Sequence, residues 1–202
     1  MVHFPGSEAK LFHTFTDVNL FNLDFPMKSG RAVLFPIYKG TYERITHDTP
    51  RGSSEERDET IQRSKDLRRS LDYLTTRSDI DHERLAFYGW SWGSIEGPIS
   101  LALESRFKTA VLAVGGCAPF KRLPEGDPIN FVSNIKIPVL MINGRYDFMI
   151  PFETCQQPFF RLLGTPPADK RQVLLESGHG IPFTPFFKET LDWLDHYLGR
   201  VK

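Results

Sequence analysis

Five short apolar runs, each ending in a glycine or tyrosine or just short of one, constrain this 202-residue chain more than any other feature. They are Arg31 to Tyr38, Arg84 to Gly89, Thr109 to Gly116, Ile137 to Gly144 and Arg171 to Gly178. Their apolar cores are nearly continuous instead of alternating, the pattern of strands buried on both faces of a parallel sheet. Helical patterns fall between them. Ser54 to Thr76 is rich in charge, with Leu67, Leu71 and Leu74 on one stripe. Trp92 to Arg106 is a second helix, blemished by Pro98. Phe152 to Leu163 is a third. The last starts at a Thr184 cap with Pro185 in its first position and runs to Gly199, burying Phe187, Leu191, Leu194 and Leu198. Strand–helix alternation of this kind predicts an α/β fold: a doubly wound, mainly parallel sheet flanked by helices, in one domain over residues 1–202.

Such sheets bind ligands beyond the carboxyl ends of their strands, so chemistry is sought in the loops there. Gly89-Trp90-Ser91-Trp92-Gly93 is a G-x-S-x-G between a strand and a helix. The turn lifts the Ser91 hydroxyl above the sheet, and the first amides of the helix point at it. A serine needs a base to take its proton and a third group to orient that base. Asp147 follows one buried run, and His179 sits between Gly178 and Gly180 after the last. His47 is at the correct edge and is the rival base. His82 lies at the wrong edge and His196 on the polar side of the last helix. Glu176 is the lesser alternative to Asp147. An oxyanion also needs donors: the amide of Trp92, and one from the Pro5-Gly6-Ser7 loop, Ser7 first and Gly6 next.

Aromatic residues crowd these loops. Trp90, Tyr42, Phe148 and Phe183 are candidate substrate contacts, and Lys39 or Arg44 could meet a polar or anionic group. Residues 117–134 form a short lid-like loop.

Together, "YGWSWGS", "IPVLMINGRYDFMIP" and "SGHGIP" resemble the α/β-hydrolase superfamily, nearest the branch of dienelactone hydrolases, acetyl-ester hydrolases and prolyl-oligopeptidase-type peptidases. The resemblance implies Ser91 as nucleophile, His179 as base and then acid, and Asp147 as orienting acid, in the chain order of that fold. It is not specific for substrate; the leading expectation is hydrolysis of a small-molecule carboxylic ester without metal or organic cofactor. A peptidase or amidase, or a non-catalytic module of that fold, are the alternatives. In that family the strand before the oxyanion loop follows earlier strands. Here it opens at Val2, so the expectation is an α/β-hydrolase core lacking its first strands, either pared down or the C-terminal part of a longer chain with an upstream domain attached.

Lysine plus arginine equals aspartate plus glutamate, 25 each, which gives no electrostatic ground for nucleic acid or an anionic membrane surface as partner. No apolar stretch has membrane-spanning length. Two cysteines make neither a disulfide framework nor a metal cluster, so a cytoplasmic location is the expectation.

Overall fold

In the computed structural model, residues 1–18, 20, 23–45 and 49–201 are described. Five parallel strands form one sheet in chain order: β1 (Val2–Phe4), β2 (Ala86–Trp90), β3 (Thr109–Ala113), β4 (Val139–Gly144) and β5 (Lys170–Leu175). Their register sets Phe4 opposite Gly89, Trp90 opposite Ala113 and Gly144 opposite Leu175. Because every strand runs the same way, the loops carrying Ser7, Ser91, Asp147 and His179 all leave from one edge.

The period-two alternation of a strand divides the core between two faces. Phe87, Leu112 and Met141 pack with Leu67, Leu71, Trp92 and Phe159, under α2 (Ser54–Leu74), α3 (Trp92–Leu103) and α4 (Gln157–Leu162). Tyr88, Val111, Leu140 and Ile142 pack with Phe25, Phe186 and Leu194, under α1 (Asp24–Lys28) and α5 (Phe183–Leu198). The expected leucine stripe of α2 is buried as read. That helix is capped by Ser53, whose hydroxyl accepts the Glu56 amide at 3.1 Å, while the Glu56 carboxylate accepts the Gly52 amide at 2.6 Å.

Four elements differ from expectation. The run from Arg31 to Tyr38 makes one parallel bridge, Leu34 to Val2, and no named strand. It donates and accepts around Leu34, through the His3 amide to Leu34 O at 2.8 Å and the Leu34 amide to Met1 O at 2.8 Å. Pro36 then has no N–H to continue a ladder. Still, this segment lies outside β1 while β2 lies inside it, so the chain reverses direction across the sheet at β1. That reversal opens a crevice beyond the carboxyl ends of β1 and β2. The second difference is α3, which stops at Leu103, where Glu104 turns extended. Third, Phe152–Gln156 is a π-turn and only then does α4 begin, with Pro158 in its first turn. Fourth, α5 begins at Phe183 after Pro182, so Thr184 is not its cap. Pro185 is tolerated because amides throughout a first turn lack intrahelical acceptors. The fully buried stripe is Phe186, Thr190 and Leu194, with Phe187, Leu191 and Leu198 partly buried beside it.

No helix among the described residues is long and apolar enough to cross a membrane. Nor do those residues hold a group of three or more side chains able to bind a metal.

His3 of β1 is buried between Phe35, edge-on at 4.8 Å, and Tyr88, also 4.8 Å away. Burial pushes its pKa down to about 3. The folded protein therefore holds this ring neutral where an unfolded chain protonates it, and stability falls as pH drops from about 6.5 toward 3. The slope from this group is ~1.4 kcal/mol per pH unit inside that window. In His3→Phe, urea-unfolding free energies measured between pH 6.5 and 4.5 should lose that slope; a curve parallel to the parent's would contradict the assignment.

Candidate active site

Ser91 occupies the one-residue gap between β2 and α3, with φ 49° and ψ −109°. A left-handed conformation is costly for a residue with a side chain, and is held only where its surroundings fix it. Here the Ser91 amide donates to Ala113 O at 2.9 Å and the Ser91 carbonyl accepts the Ser94 amide at 2.9 Å. The Ser94 hydroxyl lies within 2.7 Å of Gly89 O and 2.8 Å of Ala113 O, binding both strands to the elbow.

The two glycines of the motif are required by close approach. A Cβ on Gly93 would stand 2.1 Å from the carbonyl oxygen of Phe4, and one on Gly89 would stand 2.8 Å from the Gly93 backbone. Helix α3 thus lies directly on the loop that follows β1. Gly6 ends that loop and caps the short 3-10 helix Ser7–Lys10. Ser7 and Trp92 are each the first residue of their helices, where an amide has no intrahelical acceptor. Both line the cleft that holds Ser91 and His179, a space of about 610 Å³.

The loops that carry Asp147 and His179 are built as a pair. A Cβ on Gly144 would meet Gly178 O at 1.9 Å, so the end of β4 lies against the loop after β5. The Tyr146 amide donates to Ser177 O at 2.9 Å and the Arg145 amide to Leu175 O at 2.8 Å. The carboxylate of Asp147, 3% exposed as a residue, uses both oxygens. Oδ1 accepts the amides of Met149 at 2.9 Å and Ile150 at 3.0 Å, while Oδ2 meets His179 Nδ1 at 2.7 Å. On the other side of the ring, His179 Nε2 lies 2.8 Å from Ser91 Oγ. A carboxylate can only accept, so the hydrogen between them sits on Nδ1, and Nε2 is left to accept from the serine. This chain of contacts can draw a proton from the Ser91 hydroxyl and hold it on the ring.

The rivals are occupied elsewhere. Glu176 accepts from Arg145 Nε at 2.6 Å and from the Tyr146 hydroxyl at 2.7 Å. His82 contacts Arg77 O at the opposite edge, and His196 lies edge-on to Tyr197. His47 lies outside the described residues.

Of the candidate substrate contacts, Trp90, Tyr42 and Phe183 line a second cavity of about 220 Å³ with His3 and Pro5, apart from the Ser91 cleft. Trp90 shares its strand face with Tyr88 and packs edge-on to Phe186 at 5.5 Å. Phe148 is 84% exposed and lines neither space. Lys39 gives its amide, and Arg44 its guanidinium, to Asp66, both away from the cleft.

The sequence reading passed over the cleft's charges. Arg63 of α2, Arg122 of the lid-like loop and Glu96 of α3 are all buried. Glu96 lies 2.5 Å from Arg122 Nη1 and 3.5 Å from Arg63 Nε. Burial alone would raise the Glu96 pKa; the two guanidiniums outweigh it and hold the group below the usual carboxylate value. One signal was available, since Glu96 is the lone charge in the otherwise uncharged α3.

The close approach at Gly93 gives a direct check. Gly93→Ala should destabilise the fold by about 2 kcal/mol or more, because backbone is what its methyl would strike. Urea unfolding of the variant at parental stability would mean that α3 and the β1 loop are not in contact.

No family model matches the sequence, and no curated protein is similar to it at that level. Solved structures do match. An acetyl xylan esterase from Paenibacillus sp. R4 is 20% identical, with a TM-score of 0.69 over 98% of this chain and 74% of its own. A cold-adapted esterase from an Arctic intertidal metagenomic library is 17% identical, with a TM-score of 0.66 over 98% of this chain and 81% of its own. A puromycin-hydrolyzing peptidase of Mycobacterium tuberculosis is 15% identical, with a TM-score of 0.75 over 98% of this chain and 34% of its own. A five-stranded parallel sheet covered by helices on both faces, aligned over nearly the whole chain with such neighbours, gives the chain the α/β-hydrolase fold.

Proposed function

We propose that this protein is a serine hydrolase that cleaves a small carboxylic ester through an acyl-enzyme intermediate. The observation that carries the reading is the unbroken line from the Met149 and Ile150 amides through Asp147 and His179 to the Ser91 oxygen, with no contact longer than 3.0 Å. Ser91 attacks the ester carbonyl as its proton passes to His179 Nε2. Asp147 holds the ring in place and favours the imidazolium that forms. The amides of Trp92 and Ser7, with Gly6 behind, are the proposed donors to the oxyanion; losing one such donor costs about 3–4 kcal/mol of transition-state stabilisation. His179 then protonates the departing alkoxide. Water, deprotonated by the same ring, releases the acid and restores Ser91.

The same groups would cleave an amide. The ester is favoured because the two esterases align with nearly all of this chain and about three quarters or more of their own, whereas the peptidase carries far more chain outside the match.

A fluorophosphonate probe should label the parent and not Ser91→Ala. Short-chain p-nitrophenyl esters should be hydrolysed about a thousandfold or more slowly by Ser91→Ala, and also by Asp147→Asn, which leaves the ring in the wrong tautomer. Equal labelling of parent and Ser91→Ala would end the enzyme reading and favour a binding module. Faster cleavage of aminoacyl-naphthylamides than of esters would move the assignment to a peptidase.

A further inference from the structure

The Ser91 cleft is lined by more positive charge than its own acids neutralise. Lys10, Arg51, Arg63 and Arg122 all face it. Three carboxylates stand near them, and each is already engaged. Glu96 is shared by Arg63 and Arg122. Glu59 pairs with Arg63 at 3.2 Å. Glu56 accepts the Gly52 amide and stands 3.8 Å from Arg122.

Lys10 and Arg51 are therefore different from the inner pair. Among the described residues, neither lies within ion-pair distance of a carboxylate. Each instead rests on an aromatic face. Lys10 Nζ is 4.1 Å from the centre of the Trp92 ring, the residue next to Ser91, and Arg51 Cζ is 4.5 Å from that of Phe120 in the lid-like loop. Arg63 lies on the same Trp92 ring at 5.1 Å and Arg122 on the same Phe120 ring at 5.0 Å. The cleft thus has two indole- or phenyl-mounted cations, each backed by a buried guanidinium. Burial and then the neighbouring Arg63 lower the pKa of Lys10, against a weaker opposite pull from Glu96 and Glu59.

Resting on the hydrolase reading above, we propose that the substrate is an anionic ester, bound with its carboxylate between Lys10 and Arg51 while its ester carbonyl reaches Ser91. A carboxylate there gains two charge-assisted contacts and, among the described residues, balances the charges that line the cleft. A neutral ester of the same size offers neither cation an anionic contact.

Two substrate pairs test this and locate the charge. Monomethyl glutarate against methyl pentanoate places it on the acyl side; acetoxybutyrate against butyl acetate places it on the alcohol side. In the parent, kcat/KM for at least one anionic ester should exceed that of its neutral partner by about tenfold. That ratio should fall toward unity in Lys10→Met with Arg51→Met, and on raising salt to about 1 M. No anionic preference in either pair, or a preference that survives both the double variant and salt, overturns the proposal. Calorimetry of glutarate with Ser91→Ala reads the same site without turnover: binding lost in the triple variant is expected, and no binding to Ser91→Ala is a refutation. Should the fluorophosphonate label fail while glutarate still binds through Lys10 and Arg51, the hydrolase reading falls and the anion site stands. Lys10→Met alone serves if the double variant melts well below the parent.

Discussion

One missing side chain holds the candidate site together. With no Cβ at Gly93, the first turn of α3 can lie on the carbonyl of Phe4, and the loops after β1 and β2 become a single surface. Ser91 keeps its strained backbone because that surface is fixed from both sides, by the Ala113 carbonyl on the sheet and by the β1 loop across the helix. The Ser7 and Trp92 side of the cleft follows from this contact. Ser7 and Trp92 line one cleft because the helix that begins at Trp92 rests on Phe4 and Pro5, which lead into Ser7.

The other half of the site repeats the device at a different pair of strands. Gly144 leaves room for Gly178, and two backbone hydrogen bonds then tie the acid loop to the base loop. Asp147 is pinned by Oδ1 before its Oδ2 is offered to His179, so the ring is aimed by backbone amides acting through a carboxylate. The Gln156 side chain adds a brace, donating to Gly144 O at 3.0 Å and Ile150 O at 2.8 Å from the π-turn. The extra residue in that turn explains why the third helix forms later than its apolar pattern suggests: the chain is bent inward to deliver Gln156 under the acid loop.

What was legible in the sequence was whatever is decided locally. Buried strands announce themselves as apolar runs, and a serine, an acid and a histidine each sit within a few residues of a strand end beside a glycine. The leucine stripe of α2 is equally local. The strand at residues 31–38 was misread because its ladder depends on a neighbour that the run itself does not name, and Pro36 removes a donor from it. The tryptophans on either side of Ser91 part company in the fold. Strand alternation puts Trp90 with Ala86 and Tyr88 on the α5 face, while Trp92, past the elbow, joins the α2 face and the cleft. The cations were invisible for a different reason. Lys10, Arg51, Arg63 and Arg122 come from four separate segments, and nothing in any one of them says that the others stand beside it.

That convergence also explains why charge is buried beside an uncharged hydroxyl. Arg63, Glu96 and Arg122 join α2, α3 and the lid-like loop, three segments that also share the apolar core around Leu67, Trp92 and Val132. A buried ion group of this kind is weak evidence for stability, because desolvation offsets much of the attraction. Apolar residues of similar volume would join the same segments at less cost. What apolar residues would not supply is the pair of guanidiniums that lie on Trp92 and Phe120, the two rings that carry Lys10 and Arg51. With Glu56 and Glu59 counted beside Glu96, the two buried arginines are matched by carboxylates, so among the described residues the cleft's surplus of positive charge comes from Lys10 and Arg51. The physical reason for retaining it lies in the cleft it faces, where that charge acts on whatever approaches Ser91.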